Sequence, residues 1–591
     1  MRAALERLRR DPGLACLVLA LLGAVALYAP TIGRGLVNYD DPWLYSDNQI
    51  VQHASWESVR RILFDTRPAT RFILGAEYLP VRDLSVMLDY QLWGSWYGGF
   101  HLTNLVIYLA AIALWFGAFA SFGVDRRVCG VMALVWALHP SHAESVAWLA
   151  ERKGLLGAMF AGAAALAYAR FRGGASWRWL LLGAAAAVAA VWSKAPSAFA
   201  LAALAPIEAV LPGRVSWRRS LIGLAAIGAP ALAAFAPVVM IARNSDVVSS
   251  SDAAPAGPLA MGLGLHGFYL RLAAMLVRDA ASYPIHTLGP SGAEVALGAV
   301  TLAVVVAAAA VPWRQPPVLR AAAALWLVTW LPASRWVLPL RAVLVADRYL
   351  LLPTLGVALA IGAGVVALRD ARLRIAALIA VVALAGLRAW DAQAAWGDDV
   401  ALWERALASN PDDGDVWATY AELLFERGRP ELAEDAVARG LARARTPRLV
   451  LRAGLILLAR GERAEGVQMI REAAQAGEPR AKANLALLLF EERKLDEALA
   501  WARQAASEAP LYVNAQRAHG KVALELKHFD EALAAFERAY ALEPGALANR
   551  YNLGITLVAL GRGAEARPHL EACLADPQLA AGARAALEHA R

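Results

Sequence analysis

The chain has 591 residues, of which 59% are hydrophobic, and its mean hydropathy is +0.44. Soluble domains are about 45–50% apolar, so this composition excludes a wholly soluble protein. The net charge of +8 would suit a nucleic-acid-binding protein. However, the sequence has no Lys/Arg stripe interleaved with aromatic residues, and we therefore expect no nucleic acid among its partners.

Apolar stretches follow one another through residues 1–390, which we interpret as a transmembrane domain. A span needs about 20 mostly apolar residues. About eleven stretches approach this length, namely 13–32, 102–121, 128–138 continuing toward 150, 154–171, 178–192, 195–212, 220–242, 291–311, 318–333, 349–368 and 373–389. The stretch 261–281 is more polar and predicts an interfacial or re-entrant helix. The fold class predicted is all-α, a polytopic helix bundle with a long first outer loop at 33–101.

Basic residues alternate between successive loops, which indicates the orientation in the membrane. They lie in the N-terminal segment and at Arg126, Arg127, Arg170, Arg172, Arg178, Arg214, Arg218, Arg219, Arg314, Arg320, Arg369, Arg372 and Arg374. Cytoplasmic loops carry such an excess of Lys and Arg. An odd number of spans then gives a cytoplasmic N-terminus and a periplasmic C-terminal half, in a bacterial inner membrane.

Residues 391–591 contain an internal repeat. Ala498, Ala532 and Ala566 are spaced by 34 residues, as are Gly520 and Gly554. This period, with small residues where two helices cross, is typical of tetratricopeptide repeats. We predict an α-solenoid of about five copies, at 412–446, 447–477, 478–510, 511–544 and 545–578. Its groove is expected to hold a protein or peptide.

The first loop begins with an acidic pair, Asp40 and Asp41. Adjacent carboxylates can act as a general base toward a hydroxyl or bind a divalent cation. The alternative is a helix-capping or solvated pair. Arg82 and Asp83 follow in the same loop, and His101 begins the next apolar stretch.

A second polar run lies at 139–153. His139 and His142 are three residues apart, so on a helix they would share a face. Zinc ligation is one interpretation, and substrate binding or structural hydrogen bonding, together with Glu144, is the other.

Several cations fall on the expected outer side, where positive charge is scarce. They are Arg152, Lys153, Lys194, Arg271 and Arg348. Phosphate binding explains them, whereas contact with lipid headgroups is the alternative. Arg348 lies between Asp347 and Tyr349, so an ion pair with Asp347 is also possible. No nucleotide-binding motif occurs, and the three cysteines have no motif spacing.

The sequence resembles a known family in its polar segments. They read YLPVRDL at 78–84, LDYQLWG at 88–94, GFHLTNL at 99–105, ALHPSHAESVAW at 137–148, ERK at 151–153, LPAS at 331–334 and DRYL at 347–350. These segments are similar to the signatures of the transmembrane and tetratricopeptide-repeat-containing O-mannosyltransferases and their bacterial relatives. The His-Pro-x-His-x-Glu segment is the most specific of them.

The resemblance implies a GT-C glycosyltransferase fold. Such enzymes pass a sugar, with mannose as a candidate, from a polyprenyl-phosphate donor to an acceptor hydroxyl at the outer face. It implies that Asp40 or Asp41 is the base or metal ligand. The donor phosphate would contact Arg348, Arg271 and Lys194, with Arg152 and Lys153 as further candidates. His101, His139, His142, Glu144, Arg82, Asp83, Asp347 and Tyr349 would shape the pocket.

The cofactor expected is at most a divalent metal, Mg²⁺ or Mn²⁺, with Asp41 as the candidate ligand. Two other functions fit the sequence. One is a non-catalytic membrane scaffold whose repeats assemble an envelope or secretion complex. The other is an O-antigen-ligase-like enzyme, which would carry one long outer loop late in the chain, whereas the longest loop here is the first.

Overall fold

A computed structural model describes residues 6, 10–37, 39–211, 216–244, 257–311, 316–337 and 345–590. Arg214 and Arg314, two of the predicted cytoplasmic cations, lie outside the described residues. The chain divides into two compact units. Unit 1 contains the residues up to Phe64 and Ala76–Ser409, and unit 2 contains Asp65–Gly75 and the residues from Asn410 onward.

The described part of unit 1 is helical, without strands. Its helices are α1 (Pro12–Tyr28), α2 (Gln49–Gln52), α3 (Trp56–Phe64), α5 (Pro80–Trp93), α6 (Tyr97–Ser121), α7 (Arg126–Ala137), α8 (His142–Ala147), α9 (Arg152–Arg172), α10 (Arg178–Ser193), α11 (Ser197–Ala202), α12 (Leu204–Val210), α13 (Trp217–Asn244), α14 (Pro258–Ala273), α15 (Ile285–Leu288), α16 (Gly292–Ala310), α17 (Pro317–Trp330), α18 (Thr354–Ala367), α19 (Ala371–Ala395) and α20 (Asp399–Ser409), with α4 belonging to unit 2.

Seven helical segments are long and apolar enough to cross a membrane. They are Pro12–Gly33, Tyr97–Ser121, Leu149–Arg172, Trp217–Ala242, Gly292–Ala310, Pro317–Ser334 and Ala371–Ala395. The other four of the eleven predicted stretches are also helical, but each is too short for this criterion. Proline explains the shortening, because Pro140 follows α7, Pro196 separates α10 from α11, and Pro353 precedes α18.

Close helix packing in unit 1 depends on small residues. A Cβ atom at Gly130 of α7 would lie 2.5 Å from the carbonyl oxygen of Gly13 in α1. The two backbones therefore touch where neither residue has a side chain, as is common between apolar helices. The segment that follows, 139–152, is buried at every residue. Irregular backbone at membrane depth is tolerated where protein buries it in this way.

Unit 2 consists of paired helices. They are α4 (Pro68–Ile73), α21 (Gly414–Glu426), α22 (Pro430–Leu441), α23 (Pro447–Ala459), α24 (Arg463–Gln475), α25 (Pro479–Glu491), α26 (Leu495–Glu508), α27 (Val513–Glu525), α28 (Phe529–Leu542), α29 (Leu547–Ala559), α30 (Gly563–Glu571) and α31 (Ala580–His589). From α21 to α30 they form five pairs, followed by α31, which agrees with the helical repeat architecture expected for this region.

The 34-residue spacing of glycine reflects this pairing. A Cβ atom at Gly520 would lie 2.6 Å from the ring of Phe536, and one at Gly554 would lie 2.7 Å from Leu570. Glycine is therefore required where the two helices of a repeat cross. The segment Asp65–Gly75, with α4, contacts α28 and belongs to unit 2 although it comes from the first loop.

Candidate active site

Asp41 is fully buried and held by backbone donors. Its Oδ2 accepts a hydrogen bond from the N–H of Val37 at 3.0 Å, and its Oδ1 accepts one from the N–H of Ala150 at 2.9 Å. Burial raises the pKa of Asp41 to about 7, although both backbone bonds oppose the shift. Each oxygen of Asp41 accepts one backbone bond, and the predicted role of Asp41 as metal ligand stays a prediction. It ties the first loop to the segment 139–152.

Asp40 has the opposite environment. It is half-buried, and among the described residues no hydrogen bond or ion pair reaches its carboxylate. Burial raises the pKa of Asp40, while the positive charges of Lys153 and Arg348 oppose the shift. The acidic pair thus separates into a structural residue, Asp41, and an available base, Asp40.

Arg348, which is half-buried, pairs with the buried Glu144. The Arg348 backbone N–H donates to Glu144 Oε2 at 2.7 Å, and the guanidinium bonds to Oε1 of the same carboxylate. The guanidinium also lies over the rings of Trp148 and Tyr349, at 5.4 and 5.2 Å from their centroids. Burial opposes its charge, but Glu144 holds the pKa of Arg348 well above the ordinary value. Arg348 is therefore a fixed cation, paired with Glu144 rather than with Asp347.

Glu151 lies between two cations. Its Oε1 bonds to the Lys194 ammonium, and its Oε2 lies 3.9 Å from Nε of Arg348. Oε2 is fully buried and accepts no hydrogen bond from the described residues. Burial lowers the pKa of Lys194, whereas Glu151 acts in the opposite direction. Glu151 thus holds Lys194 and retains one oxygen for a further donor.

A small cavity of about 50 Å³ lies beside these cations. Its polar lining includes Lys194, Arg348, Tyr349, Ser197 and Thr329, and its other walls are glycine, alanine, leucine and proline. The cavity therefore presents positive charge beside apolar walls.

Glu144, Glu151, Lys194 and Arg348 form what we call the charge cluster. A second series of charged residues lies between this cluster and the first loop. Lys153 donates to Glu77 at 2.6 Å, and Glu77 lies 3.6 Å from Arg82. Arg82 is buried and pairs with Asp83 at 2.7 Å. Lys153 is electrostatically coupled to Asp40, whereas Arg82 and Asp83 support the loop that holds Glu77.

Arg152 is held by acceptors within the fold. It is fully buried, pairs with Asp89 at 2.5 Å and donates to Asn104 at 2.7 Å. These bonds join α9 to α5 and α6. The predicted contact of Arg152 with the donor phosphate stays a prediction.

Both ring nitrogens of His139 and of His142 have polar contacts, and His101 is buried. His139 contacts the Ser141 hydroxyl at 2.8 Å and the Ala273 carbonyl at 2.9 Å through its two ring nitrogens. His142 contacts the hydroxyls of Tyr108 and Thr354, each at 2.8 Å. His101 is buried, 3.3 Å from the Gly35 carbonyl. Within the described ranges no His/Cys/Asp/Glu group suits a metal ion, so the structural interpretation of His139 and His142 fits better than zinc.

Two further candidates lie away from the cavity lining. Asp347 is buried and accepts a hydrogen bond from Tyr283, and burial together with Asp279 raises its pKa. Arg271 of α14 pairs with Glu294 of α16 at 2.9 Å. Asp347 therefore supports the turn that carries Arg348, and Arg271 supports helix packing.

Glu151, Glu77 and Trp148 join the cluster although the sequence did not single them out as site residues. Glu151 begins the charged run 151–153, which was a usable signal. Glu77 is a single carboxylate in a long loop and gave none.

Comparisons with known proteins support the repeat region. A family model described as a tetratricopeptide repeat matches residues 387–453. The chain therefore contains tetratricopeptide repeats. No curated protein matches the chain.

Solved structures give weak overall similarity. YrrB, described as a TPR protein with an unusual peptide-binding site, is 21% identical with a TM-score of 0.25, over 31% of this chain and 97% of that chain. MamA from Desulfovibrio magneticus RS-1 is 16% identical with a TM-score of 0.24, over 27% and 93%. Pseudomonas aeruginosa pilF is 17% identical with a TM-score of 0.25, over 29% and 76%.

Proposed function

We propose that the protein is a membrane glycosyltransferase of GT-C type. It moves a sugar, with mannose as the first candidate, from a polyprenyl-phosphate donor to a hydroxyl on a protein. The observation that carries the proposal is an available carboxylate, Asp40, within the electrostatic influence of Arg348, a half-buried cation that lines a cavity together with Lys194. The resemblance of the polar segments to the O-mannosyltransferases agrees with it.

The charges match the two ends of such a reaction. A polyprenyl-phosphate sugar has an anionic phosphate between an apolar chain and the sugar. Arg348 and Lys194 line the same cavity and supply fixed positive charge for that phosphate. Glu144 and Glu151 hold these cations in place, so little reorganisation is needed when the donor binds.

The chemistry is a displacement at the anomeric carbon. Asp40 takes the proton of the acceptor hydroxyl, whose oxygen attacks the anomeric carbon. The bond from this carbon to the phosphate oxygen breaks, and the lipid phosphate leaves with its electron pair. Arg348 and Lys194 stabilise the added negative charge.

The repeats supply a second function to the same chain. Stacked tetratricopeptide repeats present a concave surface to a protein partner. We assign this surface to the acceptor protein, at the outer face of a bacterial inner membrane.

The test compares cells that lack the gene with cells that express the wild-type protein, Asp40→Asn or Asp47→Asn. Envelope proteins are analysed by mass spectrometry for added hexose. Asp47 lies in the same loop but is exposed, which makes Asp47→Asn the matched control. We expect hexose to be lost in the deletion strain and with Asp40→Asn, and retained with Asp47→Asn.

Identical glycosylation in all four strains would refute the enzyme and favour the membrane scaffold. Purified protein in liposomes with polyprenyl-phosphate mannose gives the second readout. There Asp40→Asn should slow release of the lipid phosphate by at least about a hundredfold, the size of a general-base effect.

A further inference from the structure

The repeat unit contains a groove formed by the first helices of three successive repeats, α25, α27 and α29. It has a volume of about 380 Å³. Its polar lining consists of Asn484, Tyr512, Asn514, Arg517, Lys521 and Asn552. The remaining lining residues are alanine and leucine, so two cations and no carboxylate face the groove.

Equivalent positions in successive repeats carry the same residue in the core but different residues in the groove. Gly520 and Gly554 occupy one equivalent position, because packing requires glycine in both repeats. Lys521 is equivalent to Leu487 and Ile555 at the same spacing of 34 residues. Packing therefore does not require lysine at this position, and its charge is free to serve a ligand.

Several other cations of the solenoid are paired across repeats. Arg445 pairs with Glu472 at 2.8 Å, and Arg503 pairs with Glu531 at 2.6 Å. Lys521 is exposed and has no carboxylate partner among the described residues. An unpaired ammonium in a concave surface without acids favours an anionic ligand.

Arg517 is held rigidly beside Lys521. Its guanidinium donates to Asn549 at 2.6 Å, Asn514 at 3.0 Å and Glu543 at 2.7 Å. Glu543 compensates this charge, so Lys521 carries most of the selectivity. Among the described residues the side chain of Asn552 has no hydrogen-bond partner, and an amide offers both a donor and an acceptor, which is what an extended peptide backbone requires.

We propose that this groove binds an extended acidic peptide segment, with Lys521 on a carboxylate and Asn552 on the backbone. Peptide binding by the groove depends on the proposed glycosyltransferase function in one respect only, namely that the bound segment belongs to the acceptor protein. Binding itself requires neither donor nor transfer. The enzyme would thus select acceptors that carry Asp or Glu near the modified hydroxyl.

The experiment measures binding of fluorescein-labelled twelve-residue peptides to the full chain in detergent. The peptides alternate serine with aspartate, asparagine or lysine, and a twelve-nucleotide oligothymidylate is included. We expect the aspartate peptide to bind tightest, and its affinity to fall with salt because the contact is exposed. Lys521→Glu should weaken it about tenfold, the effect of reversing one exposed charge.

The matched control is Lys527→Glu, since Lys527 is exposed in the same repeat but does not line the groove. Asn552→Leu is the second variant and should weaken the aspartate and asparagine peptides alike. The proposal is overturned if the three peptides bind equally or if the oligothymidylate binds more tightly than the aspartate peptide. It is also overturned if Lys521→Glu and Lys527→Glu have equal effects. Peptide binding without hexose transfer would instead refute only the proposed function.

Discussion

At the residue scale, the two neighbouring aspartates are distinguished by what their oxygens contact. Asp41 accepts two backbone N–H bonds, and Asp40 accepts none from the described side chains. The sequence could indicate an acidic pair after the first apolar stretch. It could not distinguish the members, because the donors of Val37 and Ala150 come together only through folding.

The buried Asp41 gives a pH dependence of stability. Its pKa is about 7 in the folded chain, against an ordinary value of 3.8. The folded state therefore binds more protons than the unfolded state between about pH 4 and pH 7. The stabilisation is present below about pH 4 and is lost as the pH rises toward 7.

We expect Asp41→Asn to remove this dependence. One proton corresponds to about 1.4 kcal/mol per pH unit, so the free energy of unfolding should fall less steeply in the variant over this range. The measurement is the denaturant midpoint of the detergent-solubilised protein at several pH values, with Asp47→Asn as control. The assignment fails if Asp41→Asn and wild type give parallel curves.

The same scale shows what sequence patterns identify in a site. Glu144, Lys194 and Arg348 were chosen as charges near the ends of apolar stretches, and the structure brings them into one cluster. Arg271, Asp347 and Arg152 were chosen on the same ground but have structural partners. A charged residue at the end of an apolar stretch predicts a buried polar contact. Only its contacts in the folded structure show whether it lines a binding site or holds neighbouring elements together.

At the element scale, helix lengths and crossings follow from proline and glycine. The 34-residue period predicted the five helix pairs because crossing positions require small residues in every copy. The assignment of Asp65–Gly75 to the repeat unit was not predictable, since this segment has no repeat pattern of its own.

The crossing of α1 and α7 provides a test of this packing. We expect Gly130→Ala to destabilise the protein by about 1–3 kcal/mol, because the new Cβ atom would lie 2.5 Å from the Gly13 carbonyl oxygen and 2.9 Å from the Cys16 side chain. Gly364→Ala is the control, since no atom lies within 4 Å of the position its Cβ atom would take.

Thermal unfolding in detergent measures both variants. Gly364→Ala should be neutral or slightly stabilising, because alanine favours helix over glycine. A similar loss of stability in the two variants would show that helix propensity, and not the contact between α1 and α7, governs the result.

At the scale of the whole molecule, the contacts of unit 1 restrict how the chain crosses a membrane. Asp41 bonds to Ala150, and Glu151 contacts both Lys194 and Arg348. Residues in contact lie at the same depth. The chain between any two of them must therefore cross the membrane an even number of times.

The seven long helices alone do not meet this condition, because only α6 among them lies between Asp41 and Ala150. If α7 also crosses the membrane, then two crossings, α6 and α7, separate Asp41 from Ala150. If α10 crosses as well, two crossings, α9 and α10, separate Glu151 from Lys194. The parity therefore favours crossings by α7 and α10, two of the four shorter helices, beside buried irregular segments. The cytoplasmic N-terminus and the position of the repeats on the opposite side stay predictions from the sequence.

Cysteine labelling tests this orientation. The three native cysteines are replaced by alanine, and Asp47→Cys, Arg218→Cys or Lys527→Cys is introduced at an exposed position. A membrane-impermeant maleimide should label residues 47 and 527 in intact spheroplasts, and residue 218 only after permeabilisation. Each variant labelled after denaturation gives the maximum signal. Labelling of 47 and 527 from opposite faces would separate the first loop from the repeats, and an acceptor protein held by the repeats would then have no route to Asp40.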